Sequence, residues 1–358
     1  MRAQLRKDPV VNRWVIIDPD REEREAIFRS EALIPPHGGV CPFCPGNEGQ
    51  TPKEIFALGQ PGRRPNGAGW WVRVVPDKHP ILKIEGELDR EPEGMFDFMS
   101  PVGAHEIVVE TPQHSVEWPD LDDAQLEGIL RTYRWRSLDL RNDRRFRQVM
   151  VVKNHGDSVS RYEHPHSHVI AFPIVPRGID EEIQGCLEFY RRKERCIYCD
   201  ILREEREMRR RVIVASKYFC ALAPFASRFP FESWIIPMRH SCDFGEIRSE
   251  EISDLARVLK VMLGRMLEFL PRLSCSLIMH TSPLNNFRRE EYHWHLELIP
   301  KLLKAAGFEW GTGFFVNPIP PEEAAASLRG DKGPTGGNWA KSPLDCWRPT
   351  REELEGGR

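Results

Sequence analysis

His164-Pro165-His166-Ser167-His168 is the stretch from which the fold can be worked out, because three histidines stand at every second position. Alternation of this kind is typical of a β-strand, in which residues i, i+2 and i+4 share one face. The three imidazoles are therefore predicted to lie side by side on a strand. Pro165 cannot donate a hydrogen bond to a neighbouring strand, which predicts an edge or bulged position for this strand.

A second His-x-His, His293-Trp294-His295, ends a series of four features that occurs twice in the same order. Each copy has a Cys-x-x-Cys, a strand-like run ended by proline, a Glu eight residues before a His-Ser pair, and the His-x-His. Two copies with matching order favour an internal repeat over chance. The members are 41–44, 70–75, 106–115 and 164–168 in the first copy, and 196–199, 218–223, 232–241 and 293–295 in the second.

A segment with helical periodicity precedes the His-x-His in each copy. Apolar residues recur at steps of three and four from Ile252 to Met266, and from Leu126 to Tyr133 after the cap-like Asp122-Asp123. Each half is therefore predicted to be an α+β unit, with an antiparallel sheet and one long helix. We predict two fused domains, 1–176 and 177–329, followed by a Gly/Pro-rich extended tail, 330–358.

Length and composition exclude several classes of protein. The 358 residues suit two domains, and the net charge of −3 argues against a general nucleic-acid binder. The chain has neither an apolar run long enough to span a membrane nor the apolar core of a signal peptide at its start. We expect a cytoplasmic protein, in which the nine cysteines do not form a disulfide framework.

Cysteines and histidines recur in two sets that match the ligands of a structural zinc site. Such sites commonly take two Cys from a Cys-x-x-Cys and two His from elsewhere, and four ligands leave no open position. His280 and His295 compete as ligands of the second set. The alternative is reduced thiols in a core and ordinary surface histidines. The predicted Zn²⁺ ligands are Cys41, Cys44, His114 and His164 in the first set, and Cys196, Cys199, His240 and His293 in the second.

His166 is the candidate nucleophile. A metal on His164 would orient it, and imidazole is a good nucleophile toward a nucleotide α-phosphorus, with an adduct labile enough to be passed on. The phosphates need positive charge and backbone donors. The candidates are Arg21 with Arg24, after the strand-like run 14–17, and the polar loop 154–161 directly before the reacting strand. Without the adjacent histidines, that loop would be interpreted as merely solvated.

With these residues, the chain resembles the galactose-1-phosphate uridylyltransferase family, a branch of the histidine-triad superfamily. The resemblance extends from Arg6-Lys7-Asp8-Pro9 to Pro320-Pro321-Glu322-Glu323-Ala324-Ala325. Its most specific pieces are Cys-Pro-Phe-Cys at 41–44, Glu-Thr-Pro-Gln-His-Ser at 110–115, Asn-His-Gly at 154–156 and His-Pro-His-Ser at 164–167.

The resemblance implies two fused histidine-triad domains and a ping-pong reaction. A nucleoside monophosphate, UMP in the family's name, moves from a nucleotide sugar such as UDP-glucose to His166, and then to a sugar 1-phosphate. The family also implies zinc on the first set and a homodimer whose active sites are completed across the interface. By position, it implies phosphate contacts from Arg21 and Arg24, a nucleotide contact from Asn154, and a place for Asp77 in the nucleotide pocket.

Three residue patterns depart from the family. His168 stands where the family has Gln, and a third histidine there is similar to the hydrolase branches of the superfamily. The loop before His164 is one residue short, so the phosphate-contacting serine is either Ser160 or absent. Instead of the sugar-contacting Tyr-Glu, the chain has Phe-Glu-Trp-Gly-Thr-Gly-Phe at 308–314, which resembles relatives that phosphorolyse ADP-glucose.

These patterns leave several functions open. The leading hypothesis is a hexose-1-phosphate nucleotidylyltransferase. The alternatives are a nucleotide-sugar or dinucleotide phosphorylase that uses phosphate as acceptor, a histidine-triad hydrolase that uses water, and a zinc-stabilised binding module without activity. An unperturbed histidine has a pKa of about 6.5. If His168 titrates in this way, the rate at which the nucleotidyl–His166 intermediate breaks down should change between about pH 5.5 and 7.5. The alternative is that His168 only packs and forms hydrogen bonds.

Overall fold

One antiparallel sheet of ten strands runs through both halves of the chain. The computed structural model describes residues 3–20, 40–116, 118–156, 162–270, 273–284 and 289–331. Its strands are β1 (Gln4–Lys7), β2 (Trp14–Ile17), β3 (Phe56–Gly59), β4 (Trp70–Pro76), β5 (Glu91–Glu93), β6 (Phe96–Phe98), β7 (Ala104–Val109), β8 (Gln148–His155), β9 (His166–Phe172), β10 (Val212–Ala215), β11 (Phe219–Leu222), β12 (Ser233–Pro237), β13 (Cys275–His280), β14 (His295–Pro300) and β15 (Phe315–Asn317).

Six α-helices accompany these strands within the described residues. Short 3₁₀ turns occur at Glu48–Gln50, Trp118–Asp120 and Phe244–Glu246. The helices are α1 (Asp123–Leu140), α2 (Arg177–Lys193), α3 (Ile197–Met208), α4 (Ser249–Phe269), α5 (Gly307–Thr312) and α6 (Pro321–Arg329).

The order of strands in the large sheet is β10-β11-β12-β14-β13-β8-β9-β7-β4-β3. Five strands come from each half, and the halves meet where β8 pairs antiparallel with β13, from Cys275 opposite His155 to Met279 opposite Val151. The α+β class and the antiparallel pairing are confirmed. The two predicted sheets are joined edge to edge into one. A small sheet, β1-β2-β15, and the hairpin β5-β6 lie outside it.

The two long helices hold the main core against one face of the sheet. Both predicted helical segments are helices, α1 and α4, and their periodic apolar residues are buried. Asp122 caps α1, since its side chain accepts a hydrogen bond from the backbone N–H of Gln125 at 2.7 Å. Leu130 and Leu259 belong to the same core cluster as Val169 and Ala171 of β9, so the helices of both halves share one core.

The strand that carries the histidines is not an edge strand. β9 pairs with β7 on one side and β8 on the other. Pro165 stands immediately before the strand, where its carbonyl accepts a hydrogen bond from the backbone N–H of Glu110 at 3.1 Å. The prediction of an edge position was wrong because the missing N–H of a proline costs no ladder bond when the proline precedes the strand.

The proposed domain boundary at residue 176 falls immediately before α2, and the two halves share a sheet on either side of it. Of the proposed tail, only residues up to 331 lie within the described ranges. Within those ranges, the helices are all too short or too polar to cross a membrane.

Arg136 joins α1 to the sheet through a buried ion pair. Its guanidinium donates two hydrogen bonds of 2.6 Å to the buried carboxylate of Glu106 on β7. We predict that Arg136→Ala lowers the free energy of unfolding by about 3–5 kcal/mol, because it leaves the Glu106 carboxylate buried without its partner.

Arg131→Ala on the same helix is the matched control. Arg131 pairs with Glu127 at a half-exposed site, so its loss should cost no more than about 1 kcal/mol. Urea unfolding of the two variants beside wild type measures both costs. Equal losses would contradict the role given to Arg136.

Candidate active site

His166 is held as a neutral imidazole with one bare nitrogen. Its Nδ1 lies 2.8 Å from the carbonyl oxygen of His164, and only an N–H can bond to that oxygen. The hydrogen of the neutral ring is therefore on Nδ1, and Nε2 keeps its lone pair. Burial lowers the pKa of His166, which keeps the proton off Nε2 at neutral pH. These are the requirements for a nucleophilic histidine.

Aromatic rings enclose His166 on the face of the sheet opposite the long helices. Phe43 lies 5.8 Å from the imidazole, and Tyr162 lies 5.6 Å from it edge-on, measured between ring centroids. Both rings pack on a small apolar cluster that includes Ile107 and Val109 of β7. Phe43 comes from the first Cys-x-x-Cys, so the same turn supplies metal ligands and a ring that flanks His166.

A buried polar network lies on the opposite face of the same strand. The ammonium of Lys153 is 2.5 Å from the Glu110 carboxylate, which also accepts hydrogen bonds from Tyr133 and Trp118. The hydrogen of the Tyr133 hydroxyl goes to Glu110, so its oxygen accepts a hydrogen bond from the Ser167 hydroxyl at 2.7 Å. Sequence reasoning did not find this network, although a lysine within the apolar run of β8 was a signal of it. The network fixes Ser167, which lies between His166 and His168 in the strand.

The first predicted metal set comes together. Cys44 Sγ lies 3.3 Å from His114 Nδ1 and 3.7 Å from His164 Nδ1, and Cys41 Sγ also lies 3.7 Å from His164 Nδ1. Zinc bonds of tetrahedral geometry put sulfur and nitrogen ligands about 3.6 Å apart. The Nε2 of His164 lies 2.7 Å from the Thr111 carbonyl, which orients Nδ1 toward the sulfurs. These four residues fit a metal ion.

The second set has the same arrangement. Cys199 Sγ lies 3.4 Å from His240 Nδ1 and 3.6 Å from His293 Nδ1, and Cys196 Sγ lies 4.0 Å from His293 Nδ1. The histidines occupy equivalent places in the two halves: His240 follows β12 as His114 follows β7, and His293 precedes β14 as His164 precedes β9. All four ligand atoms lie close enough together to hold one ion.

His280 and His295 do not belong to the second set. They form a separate buried group with Glu182 of α2, which can itself hold a metal ion. His280 Nδ1 lies 2.9 Å from the Glu182 carboxylate. Burial acts to lower the pKa of His280, but the carboxylates of Glu182 and Glu297 outweigh it and raise the pKa to about 9. The expectation that His280 and His295 compete as ligands of the second set was wrong. Sequence spacing did not show their partner Glu182, because it comes from α2, which is distant in the chain.

Two of the predicted nucleotide contacts lie near the histidine strand. Asp77 Oδ2 is 3.5 Å from His105 Nε2, and His105 contacts His168. Asn154 is on β8, two residues beyond the Val152 that pairs with His168, and its side chain accepts a hydrogen bond from Ser276 at 2.9 Å. The other predicted contacts, Arg21, Arg24 and Ser160, lie outside the described residues, as does most of the loop around Ser160.

His168 lies on the same face of the sheet as His166. The two rings are 5.2 Å apart between centroids and nearly perpendicular. Burial, followed by the neighbouring His166 and His105, lowers the pKa of His168 to about 4. The expected change between about pH 5.5 and 7.5 assumed an unperturbed imidazole. His168 is instead neutral throughout that range.

Comparison with known proteins places this arrangement in a family. The family model described as galactose-1-phosphate uridyl transferase, N-terminal domain, matches residues 1–176. The ADP-glucose phosphorylase of Arabidopsis thaliana is 33% identical over 333 residues, which cover 91% of this chain and 92% of that protein. The chain belongs to the galactose-1-phosphate uridylyltransferase family. It is a nucleotidyltransferase of that family.

Other members of the galactose-1-phosphate uridylyltransferase family match along the same length. The galactose-1-phosphate uridylyltransferase of Thermotoga maritima is 29% identical over 335 residues, which cover 91% of this chain and 98% of that protein. The crystal structure of the Arabidopsis thaliana ADP-glucose phosphorylase with bound ADP-glucose superposes with a TM-score of 0.78 at 32% identity, covering 92% of this chain and 98% of that one.

The two Cys/His sets predict the metal content of the protein. We expect two tightly bound metal ions per chain in wild type. Cys41→Ser and Cys199→Ser should each lose one, because each removes a ligand from a different set. Cys275→Ser, which changes a buried thiol outside both sets, should lose none. Elemental analysis after chelator washing measures this, and loss of both metals from Cys275→Ser would count against the ligand assignment.

The lowered pKa of His168 predicts how the stability of the fold changes with pH. The unfolded chain takes up this proton near pH 6.5, whereas the folded chain takes it up only near pH 4. The unfolded state therefore binds more protons between these values, and folding weakens as pH falls through that window. His168→Gln should show a shallower loss of stability there. Urea midpoints from pH 7 to 4.5 measure it, and identical slopes would contradict the lowered pKa.

Proposed function

We propose that this chain moves a nucleoside monophosphate from a nucleotide sugar to a hexose 1-phosphate through a covalent intermediate on His166. The observation that carries the proposal is the hydrogen bond from Nδ1 of His166 to the His164 carbonyl, since it leaves the Nε2 lone pair available beside the rings of Phe43 and Tyr162. UDP-glucose is the proposed donor, as in galactose-1-phosphate uridylyltransferases.

The reaction takes two displacements at the α-phosphorus. In the first, the Nε2 lone pair of His166 forms a bond to phosphorus, and the bond from phosphorus to the leaving oxygen breaks, so that the sugar 1-phosphate departs with the electron pair. In the second, an oxygen of the acceptor phosphate bonds to the same phosphorus, and the P–N bond returns its electron pair to Nε2. The His164 carbonyl stabilises the positive imidazole ring between the two steps.

We also propose that both Cys/His sets hold Zn²⁺. Cysteine with histidine is the ligand combination that zinc prefers in structural sites. Zinc with four protein ligands would supply rigidity and no open coordination position. In the first set, the ligand His164 also carries the carbonyl that orients His166, so the proposed metal site and the proposed nucleophile share one residue.

The remaining proposed contacts follow the family. Arg21, Arg24 and Ser160 are proposed to bind phosphate, and Asn154 and Asp77 to lie against the nucleotide. His168 is proposed to be a second catalytic residue, next to His166.

The two-domain division and a homodimer are proposals of the same kind. The hairpin β5-β6 supports a dimer, because Met95, Phe96 and Phe98 expose 86%, 68% and 51% of their surface.

Phosphorolysis is the second candidate function. The similarity to an ADP-glucose phosphorylase supports it, together with the 308–314 run in place of the sugar-contacting Tyr-Glu. In this reaction, inorganic phosphate would accept the nucleotidyl group from His166 and ADP-glucose would be the donor. The chemistry on His166 is the same in both candidates, and only the donor base and the acceptor differ.

Trapping the intermediate tests the common step. The protein is incubated with UDP-glucose or ADP-glucose labelled at the α-phosphorus, without acceptor, and then denatured at alkaline pH. We expect labelled protein in wild type and none in His166→Ala, while the exposed His79→Ala labels as wild type does. The absence of label with both donors, or undiminished label in His166→Ala, would contradict the mechanism.

A chase identifies the acceptor. Labelled protein is mixed with galactose 1-phosphate, inorganic phosphate or buffer alone, and the rate of label loss is compared. Fastest loss to galactose 1-phosphate supports the transferase, and fastest loss to inorganic phosphate supports the phosphorylase. Equal loss in all three mixtures would identify a hydrolase and overturn both candidates.

A further inference from the structure

His105 and His168 form a pair of histidines beside the proposed nucleophile His166. His105 of β7 is diagonal to His168 on the same face of the sheet, and its Nε2 lies 3.0 Å from His168 Nδ1. Asp77 approaches the same His105 nitrogen at 3.5 Å. One of the two histidine nitrogens in the 3.0 Å contact must carry the hydrogen, and its identity determines what His168 can offer to a substrate.

A backbone amide answers this question. The N–H of Ile81 donates to His105 Nδ1 at 3.3 Å, so Nδ1 is a hydrogen-bond acceptor and carries no hydrogen. A neutral His105 then carries its hydrogen on Nε2 and donates it to His168 Nδ1. A neutral His168 is left with its own hydrogen on Nε2.

Both rings are neutral at physiological pH. Burial lowers the pKa of His105 against the attraction of Asp77. Burial and the neighbouring His166 and His105 lower the pKa of His168, against Asp77 and Glu110. Each ring therefore has one hydrogen, and the direction of donation along the chain of contacts is defined.

The direction of these hydrogen bonds, from Ile81 through His105 to His168, also argues against a metal ion bound between His105 and His168. Asp77, His105 and His168 put one potential ligand atom each within 4.8 Å of the others. A histidine that binds metal through Nε2 normally donates from its Nδ1 to a carbonyl or carboxylate. Here Nδ1 of His105 faces an N–H, which cannot accept that hydrogen.

We propose that His168 is a fixed hydrogen-bond donor to the phosphoryl group on His166, and that His105 is the positioning residue that imposes this direction. The two neighbouring rings then have opposite roles: Nε2 of His166 attacks the phosphorus, and Nε2–H of His168 binds a phosphoryl oxygen. The donor lies 5.2 Å from the nucleophile between ring centroids. This inference rests on the proposed nucleotidyl-His166 intermediate.

The direction also excludes a proton relay. The chain of donors starts at a backbone amide, which does not give up its hydrogen, so His105 cannot replace a proton that His168 loses. His168 Nε2 has no lone pair with which to activate water as a general base. The structure therefore assigns His168 a donor role that does not favour a hydrolase.

The tautomer can be measured without substrate. In protein labelled with ¹⁵N in its histidine rings, the ¹⁵N shifts show which nitrogen of His168 carries the hydrogen, and the signals are assigned by their loss in His168→Gln. We expect Nε2–H in wild type at pH 7 and a mixture of tautomers in His105→Ala. His105→Gln should keep the wild-type tautomer, because its amide can accept from Ile81 and donate to His168. Nδ1–H in wild type, or an unchanged tautomer in His105→Ala, would overturn the proposal.

A double-mutant cycle measures the effect on the reaction. We expect His105→Ala to slow labelling of His166 roughly tenfold, less than the roughly 10²–10³-fold that removal of an oriented donor costs, because part of the His168 population still donates. In the His168→Gln background, whose amide donates without help from His105, the same change should slow labelling by less than about twofold. Equal effects in both backgrounds would retire the positioning role. If wild type forms no adduct, the proposed function fails, and the tautomer measurement still decides whether His105 sets the direction at His168.

Discussion

The two-residue period of β9 is the constraint on which the candidate site depends. Ser167, Val169 and Ala171 face the helices, and Val169 and Ala171 belong to the main core. His166 and His168 consequently face the other side. A slip of one residue would turn both imidazoles into the core and expose the apolar residues. Because β9 is paired on both sides, with β7 and β8, the ladder and the core prevent that slip together.

Main-chain groups then decide the chemistry of each imidazole. The carbonyl of His164 can only accept a hydrogen bond, and the amide of Ile81 can only donate one. These two fixed partners determine opposite hydrogen positions in neighbouring rings: Nδ1 of His166 carries its hydrogen, and Nδ1 of His168 accepts one. Burial supports both assignments by keeping the rings neutral. A histidine in water would exchange these states freely, whereas the fold selects one for each ring.

The two halves keep the same framework but differ at the position of the nucleophile. His295 occupies the place in β14 that His166 occupies in β9, and its Nδ1 lies 3.1 Å from the His293 carbonyl. However, His295 is fully buried, between Tyr198 at 4.7 Å and His280 at 4.9 Å. His166 lies instead between Phe43 and Tyr162. The repeat therefore preserves the backbone geometry and changes the rings that surround the histidine.

The sequence by itself determined the features that depend on local spacing. The alternating histidines, the periods of α1 and α4, and the two Cys-x-x-Cys turns were all predictable, because each pattern expresses the geometry of one strand, one helix or one turn. The histidine ligands lie far from the cysteines in the chain and were predictable only because they recur in both copies of the repeat. Two copies in the same order also made the internal repeat visible. Where the sequence failed locally, at Pro165, the error was one of position: a proline just before a strand does not interrupt its ladder.

Only the tertiary structure decided which distant groups meet. The pairing of β8 with β13 joins the halves into one sheet, and no local pattern specified that partner. Ile81 reaches His105, and His105 reaches His168, from other parts of the chain. Glu182, also distant in the chain, binds His280, which therefore does not belong to the second metal set. The protonation of His168 was equally beyond local spacing, since a pKa depends on burial and on neighbours that only the folded chain brings together.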